Sequence, residues 1–318
     1  MSPEPERTMK QIDPKKKMAY VQVMSGVLRH SSNFFHGQGF TELRPVILSS
    51  ITDPLGPDPN SSVVKTGEID YLDQKLCITQ SMILHKQLAV KMGVDRLVIN
   101  SPNIRLEHPR RMTSGKHCFE FAQMDFEIAN AKTDDVFKLM ENFFASAVEY
   151  VRTVYASELE LCGRKLAPLQ GRFPQYTTHE LEAKYGEDWE YPASMEHTTP
   201  FWAKCLKREF YDKSDPNEPG HFLNYDLIYP EGFGEALSGA ERESDFGIIM
   251  SKIKAHQLED PKLKIEKYAQ YLEYAKTGLV PSAGGGFGLE RLTRYLTGAE
   301  HVGDVQLFPR VPGVLVDV

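Results

Sequence analysis

Gly284-Gly-Gly-Phe-Gly-Leu-Glu-Arg291-Leu292, close to the C-terminus, places four glycines within five residues and follows them with an arginine. A glycine run lets backbone approach a bound phosphate or nucleotide with no side chain between them. Arg291 offers a planar, permanently charged fork for a polyphosphate. The pattern alone is a weak signal, because many glycine-rich turns bind nothing. Its weight comes from segments far upstream that suit the same chemistry.

One of these is Ile104-Arg105-Leu-Glu107, followed by His117-Cys-Phe-Glu-Phe121-Ala-Gln123-Met-Asp125-Phe-Glu127. On strands predicted over 96–105 and 117–129, Arg105 and Glu107 share one face, as do Phe121, Gln123, Asp125 and Glu127. An aromatic followed by three polar groups on one face suits a wet cleft. The plainer alternative is an exposed sheet face with charge pairs. Between Asp226 and Arg242 stand Glu235, Ser238 and Gly239. Carboxylates and a hydroxyl are hard oxygen ligands suited to Mg²⁺, which bridges substrate phosphates; taken alone, the segment reads equally as a polar turn. In Thr79-Gln-Ser81-Met-Ile-Leu-His85-Lys86-Gln87 a strand gives way to a helix, with Ser81 as N-cap and Lys86 one to two turns in. By itself Lys86 would be a surface lysine.

The rest of the chain supplies an ordinary globular frame. Hydrophobic residues make up 41% and charged residues 25% of 318, enough for one large domain or two small ones. A net charge of −7 argues against a nucleic-acid-coating protein. Cys77, Cys118, Cys162 and Cys205 include no CxxC pair, so neither a zinc site nor a disulfide framework is expected, and a reducing, cytoplasmic setting fits. There is no long apolar run and no signal-peptide pattern. Residues 1–17, ending in Lys15-Lys-Lys17, read as a loose arm, and 18–318 as one domain. Helices are predicted over 18–38, 81–92, 133–157, 244–256, 262–277 and 288–298, and a further strand pair over 222–229 and 233–239. Thr133-Asp-Asp135 opens the long helix. Residues 52–62 are a turn-rich loop and 107–116 a charged loop. Residues 163–221, with Trp189 and Trp202, read as a peripheral insertion or a lid. His179, His197, His221 and His256 lack metal-type spacing and read as structural or exposed, and His85 as core. Strands in hairpins with helices in separate blocks give an α+β domain on a largely antiparallel sheet.

Taken together, the segments resemble the three signature motifs of class II aminoacyl-tRNA synthetases. Gly39-Phe-Thr-Glu-Leu-Arg-Pro45 resembles motif 1, Arg105 through Glu127 motif 2, and Gly284 through Arg291 motif 3, in order along nearly the whole chain. The aspartyl/asparaginyl branch is the most similar, through Phe119–Glu127, Gln80-Ser81 with Lys86-Gln87, Glu235 with Ser238-Gly239 and Arg242, and Leu307-Phe-Pro-Arg310. The resemblance implies an antiparallel sheet flanked by helices, ATP and Mg²⁺ as cofactors, and a homodimer through the motif 1 region. It implies that Arg105 holds the α-phosphate, Phe121 stacks on the adenine and Arg291 lies against its other face near the γ-phosphate. Glu107 would help place the adenine, His117 the distal phosphates, and Gly286 and Gly288 would floor the adenosine. Glu235 and Ser238 would bind Mg²⁺, with Asp226 nearby. Ser81, Gln123 and Asp125 would surround the substrate ammonium, while Lys86 and Arg242 grip a substrate carboxylate beside Gly239. Lysine at position 86 is the mark of the aspartyl enzymes, so aspartate is the expected acid.

The chain begins almost directly at the helix before motif 1, and the expectation is a catalytic core without the N-terminal anticodon-binding barrel of those synthetases. That arrangement resembles the archaeal-type, ammonia-dependent asparagine synthetase: aspartate, ATP and ammonia as substrates, tRNA not a partner. Ile83 stands where the aspartyl pattern has Gln, Val63–Asp70 replaces the loop that closes over the substrate amine, and Tyr229-Pro-Glu-Gly-Phe233 lengthens the approach to Glu235. These departures touch amine recognition, which decides whether the α- or the β-carboxylate is activated. No residue is singled out as the base for ammonia; Glu120 and Asp125 are candidates by their place in motif 2. The alternatives are a paralog that transfers aspartate to tRNA or another amine, and a non-catalytic adenylate sensor. A substrate with a cationic side chain is disfavoured by Lys86 and Arg242.

Overall fold

The computed structural model describes residues 11–53, 63–206, 210–259 and 265–314. Eight strands form the main sheet, in the spatial order Thr41–Glu42, Arg96–Ile104, Glu120–Ala129, Ser282–Gly288, Gly234–Glu241, Asn224–Tyr229, Phe201–Lys204 and Gln175–Thr177. The interior pairings are antiparallel, and the two outermost strands run parallel to their neighbours. The α+β expectation therefore holds, with the motif 2 and motif 3 strands side by side at the centre.

One face of this sheet is covered by the helices Pro14–Gly37, Thr133–Val154 and Leu289–Thr297. Thr133–Val154 buries Val136, Phe137, Met140, Phe143, Phe144, Ala147, Val148 and Val151, a stripe at helical spacing. Phe143 packs 4.7 Å from Phe287 of the glycine-rich strand and 5.9 Å from Phe35 of the first helix. Each such fully buried side chain contributes about 1.5–3 kcal/mol. Alternation then leaves the other face of the central strands to polar residues.

Several expectations are corrected. The first helix starts at Pro14, where Asp13 Oδ1 accepts from the Lys15 and Lys16 amides; Lys17 Nζ donates to the Asp304 carbonyl at 2.8 Å. The lysine run thus opens a helix, and Asp13-Pro14 was the start signal. The long helix ends at Val154 and a second runs Ala156–Cys162. The helix after Ser81 begins at Ile83, with Met82 as its N-cap residue. The charged loop folds as the strand Leu106–Glu107 and a 3₁₀ turn over Pro109–Ser114. Of the turn-rich loop, 54–62 lie outside the described residues. Residues 163–221, expected as a peripheral insertion or a lid, lie at one edge of the sheet. They supply the last two strands of the sheet, and Trp202 is buried with its ring 3.9 Å from Phe137. Among the described residues no helix is long and apolar enough to cross a membrane.

Candidate active site

The polar face of the central strands is floored by glycine. Cross-strand register sets Gly288 opposite Gln123, Gly286 opposite Asp125 and Gly284 opposite Glu127. A Cβ on Gly286 would lie 2.5 Å from Gln123 Nε2 and 2.8 Å from Asp125 Oδ1; one on Gly284 would lie 2.4 Å from Glu127 Oε2. The glycines make room for side chains of the neighbouring strand, which lie flat across them. On the other side Ser238 pairs with Gly286, and Asp226 pairs with Ser238. Glu235 and Ser238 are three residues apart, which in a regular strand would put them on opposite faces. Leu227 pairs with Leu237 while Ile228 pairs with Glu235, so Ala236 is an extra residue, a bulge that brings Glu235 back to the side of Ser238 and Asp226. Two carboxylates and a hydroxyl thus line one face, a donor set that fits Mg²⁺ shared with substrate phosphates. Among the described residues no group of three or more His, Cys, Asp or Glu could hold a metal ion by itself.

Next to the glycine floor lies a buried charge cluster. Lys86 is 2% exposed; its Nζ donates to Asp125 Oδ1 at 2.8 Å, to the Gly285 carbonyl at 2.9 Å and to the Phe126 carbonyl at 3.4 Å. Arg242 is 4% exposed and makes a two-point contact with Glu127, Nε to Oε1 at 3.0 Å and Nη2 to Oε2 at 3.2 Å. Its Nη1 lies 3.7 Å from Asp212 Oδ1. Ser282 Oγ also donates to Glu127, at 2.9 Å, and Lys86 Nζ is 3.8 Å away. The cations expected to grip a substrate are therefore held by the protein's own carboxylates, and the three protons of Lys86 are all used. Asp125 Oδ2, buried, has no hydrogen-bond partner among the described residues. A buried carboxylate oxygen in that state suits a cationic ligand group, as the ammonium role requires. Gln123 Oε1 accepts from Asn103 Nδ2 at 2.7 Å, which leaves its donor end, Nε2, above Gly286. Ser81 Oγ accepts from the Ile83 amide at 3.3 Å.

The residues expected to face a nucleotide lie one step along. The Arg105 guanidinium sits 5.2 Å from the centre of the Phe121 ring, and its Nε donates to the Gln80 carbonyl at 3.2 Å. Arg291 Nη1 is 3.3 Å from Glu235 Oε2, and its Nε donates to the Lys116 carbonyl at 3.2 Å. Glu107 is held on the Leu106–Glu107 strand opposite Val63. His117 Nδ1 is 2.6 Å from Ser114 Oγ. Burial, then the Arg291, Arg111 and Lys116 charges, push its pKa down to about 3, so near neutrality it is a neutral imidazole. Lys116 Nζ pairs with Glu190 from the 163–221 segment, whose Leu181, Trp189 and Ala193 pack on Ile228. That segment walls the site beyond Glu235.

Sequence reasoning placed Glu127 on the right face but gave it no role, and it missed Asp212, Ser282, Asn103 and Glu190. Asn103 alternates with Arg105 and was open to the same period-two reading; Asp212 and Glu190 come from a segment with no pattern that points to the sheet.

Glu290, just before Arg291, accepts from the Ala122 amide with both oxygens at 3.1 Å and from Gln306 Nε2 at 3.2 Å. Burial pushes its carboxyl up to about 7 from 4.5. With the folded value above the unfolded one, its stabilising contribution is complete below about pH 4.5 and is lost as pH rises through 7. Glu290→Gln is therefore expected to gain stability relative to wild type across that window, by up to about 1.4 kcal/mol per pH unit. Melting curves of both proteins at stepped pH check this; a constant difference would refute it.

The sequence of residues 6–312 matches the family described as tRNA synthetases class II (D, K and N). Among solved structures, asparaginyl-tRNA synthetase from Pyrococcus horikoshii complexed with asparaginyl-adenylate superposes with a TM-score of 0.83 at 25% identity, over 94% of this chain and 70% of that one. The Entamoeba histolytica asparaginyl-tRNA synthetase, also in complex with asparaginyl-adenylate, gives 0.78 at 20% identity over 96% and 72%, a likeness of fold. Three motifs in order, a glycine-floored polar face between them and a match along almost the whole sequence have one reading: the chain belongs to the class II tRNA synthetases of the D, K and N family.

Proposed function

We propose that the protein is an ATP-dependent aspartate–ammonia ligase. Aspartate and ATP give an aspartyl adenylate and pyrophosphate; ammonia then attacks the acyl carbon, AMP leaves, and asparagine is released with one proton. The observation that carries this reading is the buried cluster of Lys86, Arg242, Asp125, Glu127 and Asp212. Asp125 Oδ2 is set to take an ammonium. Arg242, whose charge is balanced by Glu127, is set to take a second carboxylate in exchange for part of that contact. An acid with one ammonium and two carboxylates answers both, whereas a cationic side chain would meet Arg242 and Lys86 at close range.

Ammonia as the acceptor is supported by Ile83, which is 4% exposed and packed in a cluster with Leu84, Phe210 and Ile249. An apolar residue at the position of a polar amine contact loosens the constraint that would present the α-carboxylate to ATP, and a β-aspartyl adenylate is what asparagine formation needs. Arg105 neutralises charge at the α-phosphate, Phe121 supports the adenine, and Arg291 and His117 bind the distal phosphates. Glu235, Ser238 and Asp226 would hold Mg²⁺, which when bound offsets phosphate charge; Glu235 must then share itself between the ion and Arg291. The exposed edge strand Thr41–Glu42 is the expected dimer contact, and the cytoplasm the expected setting.

The asparaginyl-tRNA synthetases that share the fold favour a second reading, transfer of the activated acid to tRNA. Incubation with labelled aspartate, ATP, Mg²⁺ and ammonium is expected to yield asparagine and AMP in equal amounts. AMP release that needs tRNA and ignores ammonium would establish the second reading, and no aspartate-dependent pyrophosphate exchange would leave an adenylate sensor.

A further inference from the structure

Gln123 stands midway along the site, one alternation from Phe121 and one from Asp125, so about 7 Å from each along the strand. That is the junction of nucleotide platform and charge cluster, where the reacting carboxyl group must meet the α-phosphate. An amide has an acceptor end and a donor end, and which end faces the junction decides what it recognises.

Three observations fix it. Asn103 is 0% exposed, lies on the adjacent strand and donates from Nδ2 to Gln123 Oε1 at 2.7 Å. Ser101, also 0% exposed, donates from Oγ to Asn103 Oδ1 at 3.3 Å, so the Asn103 acceptor is already engaged. Gln123 Nε2 then lies 2.5 Å from the ideal Cβ point of Gly286, with Asp125 Oδ1 2.8 Å from the same point. A carboxylate nearby favours the amide's N–H end and repels its carbonyl. Gln123 Nε2 has no hydrogen-bond partner among the described residues.

We propose that Asn103 is a positioning residue, which holds the Gln123 amide with its N–H groups directed into the site and so makes the junction a donor for an oxygen of the carboxyl group being activated. The inference rests on the acid-activating function above and adds how the reacting carboxyl is recognised. During activation one carboxylate oxygen attacks the α-phosphorus and pyrophosphate leaves, while the donor holds the other oxygen and so orients the nucleophile.

The test is aspartate-dependent ATP–pyrophosphate exchange by variants of the full chain, with melting temperature measured alongside. Asn103→Asp presents an acceptor to Gln123 and turns its amide over; kcat is expected to fall on the order of 10²-fold, with the KM for ATP unchanged. Gln123→Glu keeps the bond from Asn103 and replaces the inward donor by an acceptor, so it gives the same loss without touching the buried asparagine. In the cycle of Asn103→Leu and Gln123→Leu, the double variant should be no slower than Gln123→Leu alone, because Asn103 acts through that side chain. Wild-type kcat in Asn103→Asp or Gln123→Glu overturns the proposal. So does a double variant whose losses add, which marks Asn103 as merely structural. Wild-type exchange with asparagine but not aspartate refutes the aspartate reading alone, and the same cycle run with asparagine still decides the role of Asn103. Exchange with neither overturns both.

Discussion

Glu127→Ala is expected to destabilise the protein by about 3–5 kcal/mol, a fall of roughly 4–8 °C in melting temperature for a chain of this size. The carboxylate is 0% exposed and is the common partner of Arg242, at two points, and of Ser282, with Lys86 3.8 Å away. Its removal takes both hydrogen-bonded contacts from a guanidinium that is 4% exposed and leaves it Asp212 at 3.7 Å, and a buried charge that loses its hydrogen-bonded partner costs several kcal/mol in lost hydration. Exposed pairs such as Lys184–Glu196 stand in contrast, with both side chains more than half exposed; pairs of that kind contribute about 0–1 kcal/mol. Glu127→Leu combined with Arg242→Met should recover much of the stability, since two apolar side chains replace a desolvated pair, while activity stays lost. Chemical denaturation of the single and double variants measures both effects. A single variant that costs under about 1 kcal/mol would show that the cluster is hydrated like a surface pair and would remove the basis for its role in reading substrate charge.

How much of this was open to sequence reading depends on the range of the signal. Period-two alternation over Glu120–Ala129 is local, so the shared face of Phe121, Gln123, Asp125 and Glu127 could be read directly. The glycine run could be read as flooring something, yet its partners could not: that Gly286 and Gly284 lie under Asp125 and Glu127 is a matter of register between strands more than 150 residues apart. The same limit hid the pairing of Lys86 with Asp125, which made a buried lysine look like a free clamp. Glu235 and Ser238 share a face only because Ala236 is a bulge, and nothing in Gly-Glu-Ala-Leu-Ser announces the extra residue. The place of the 163–221 segment in the sheet was hidden for another reason. Its strands, Gln175–Thr177 and Phe201–Lys204, have three and four residues, too short for a periodic signal, and they join the sheet by completing an edge begun elsewhere.

Gly286→Ala and Gly284→Ala are expected to separate catalysis from folding, although the two glycines are two residues apart on one strand. At Gly286 the atoms in the way are side-chain ends: Gln123 Nε2 at 2.5 Å and Asp125 Oδ1 at 2.8 Å from the new Cβ. These side-chain ends can shift at the expense of their contacts with Asn103 and Lys86, without displacing main chain, so the sheet persists. The methyl then occupies the place where donor and carboxylate converge, and exchange with aspartate should fall at least 10²-fold, since displacement of about 1 Å in a reacting group is worth that much. At Gly284 the new Cβ would sit 2.2 Å from the Phe126 carbonyl oxygen and 2.8 Å from the Glu127 Cα, both main chain. Main chain cannot rotate away; the Ser282–Gly288 strand has to part from Glu120–Ala129 at the sheet's centre. Overpacking of that kind costs about 1–3 kcal/mol, and more where backbone must move, so Gly284→Ala should show a depressed melting temperature before any assay of activity. Equal melting temperatures for the two variants would mean that the strands separate as readily as side chains rotate. Full exchange activity in Gly286→Ala would mean that Gln123 and Asp125 do not meet the substrate above that glycine.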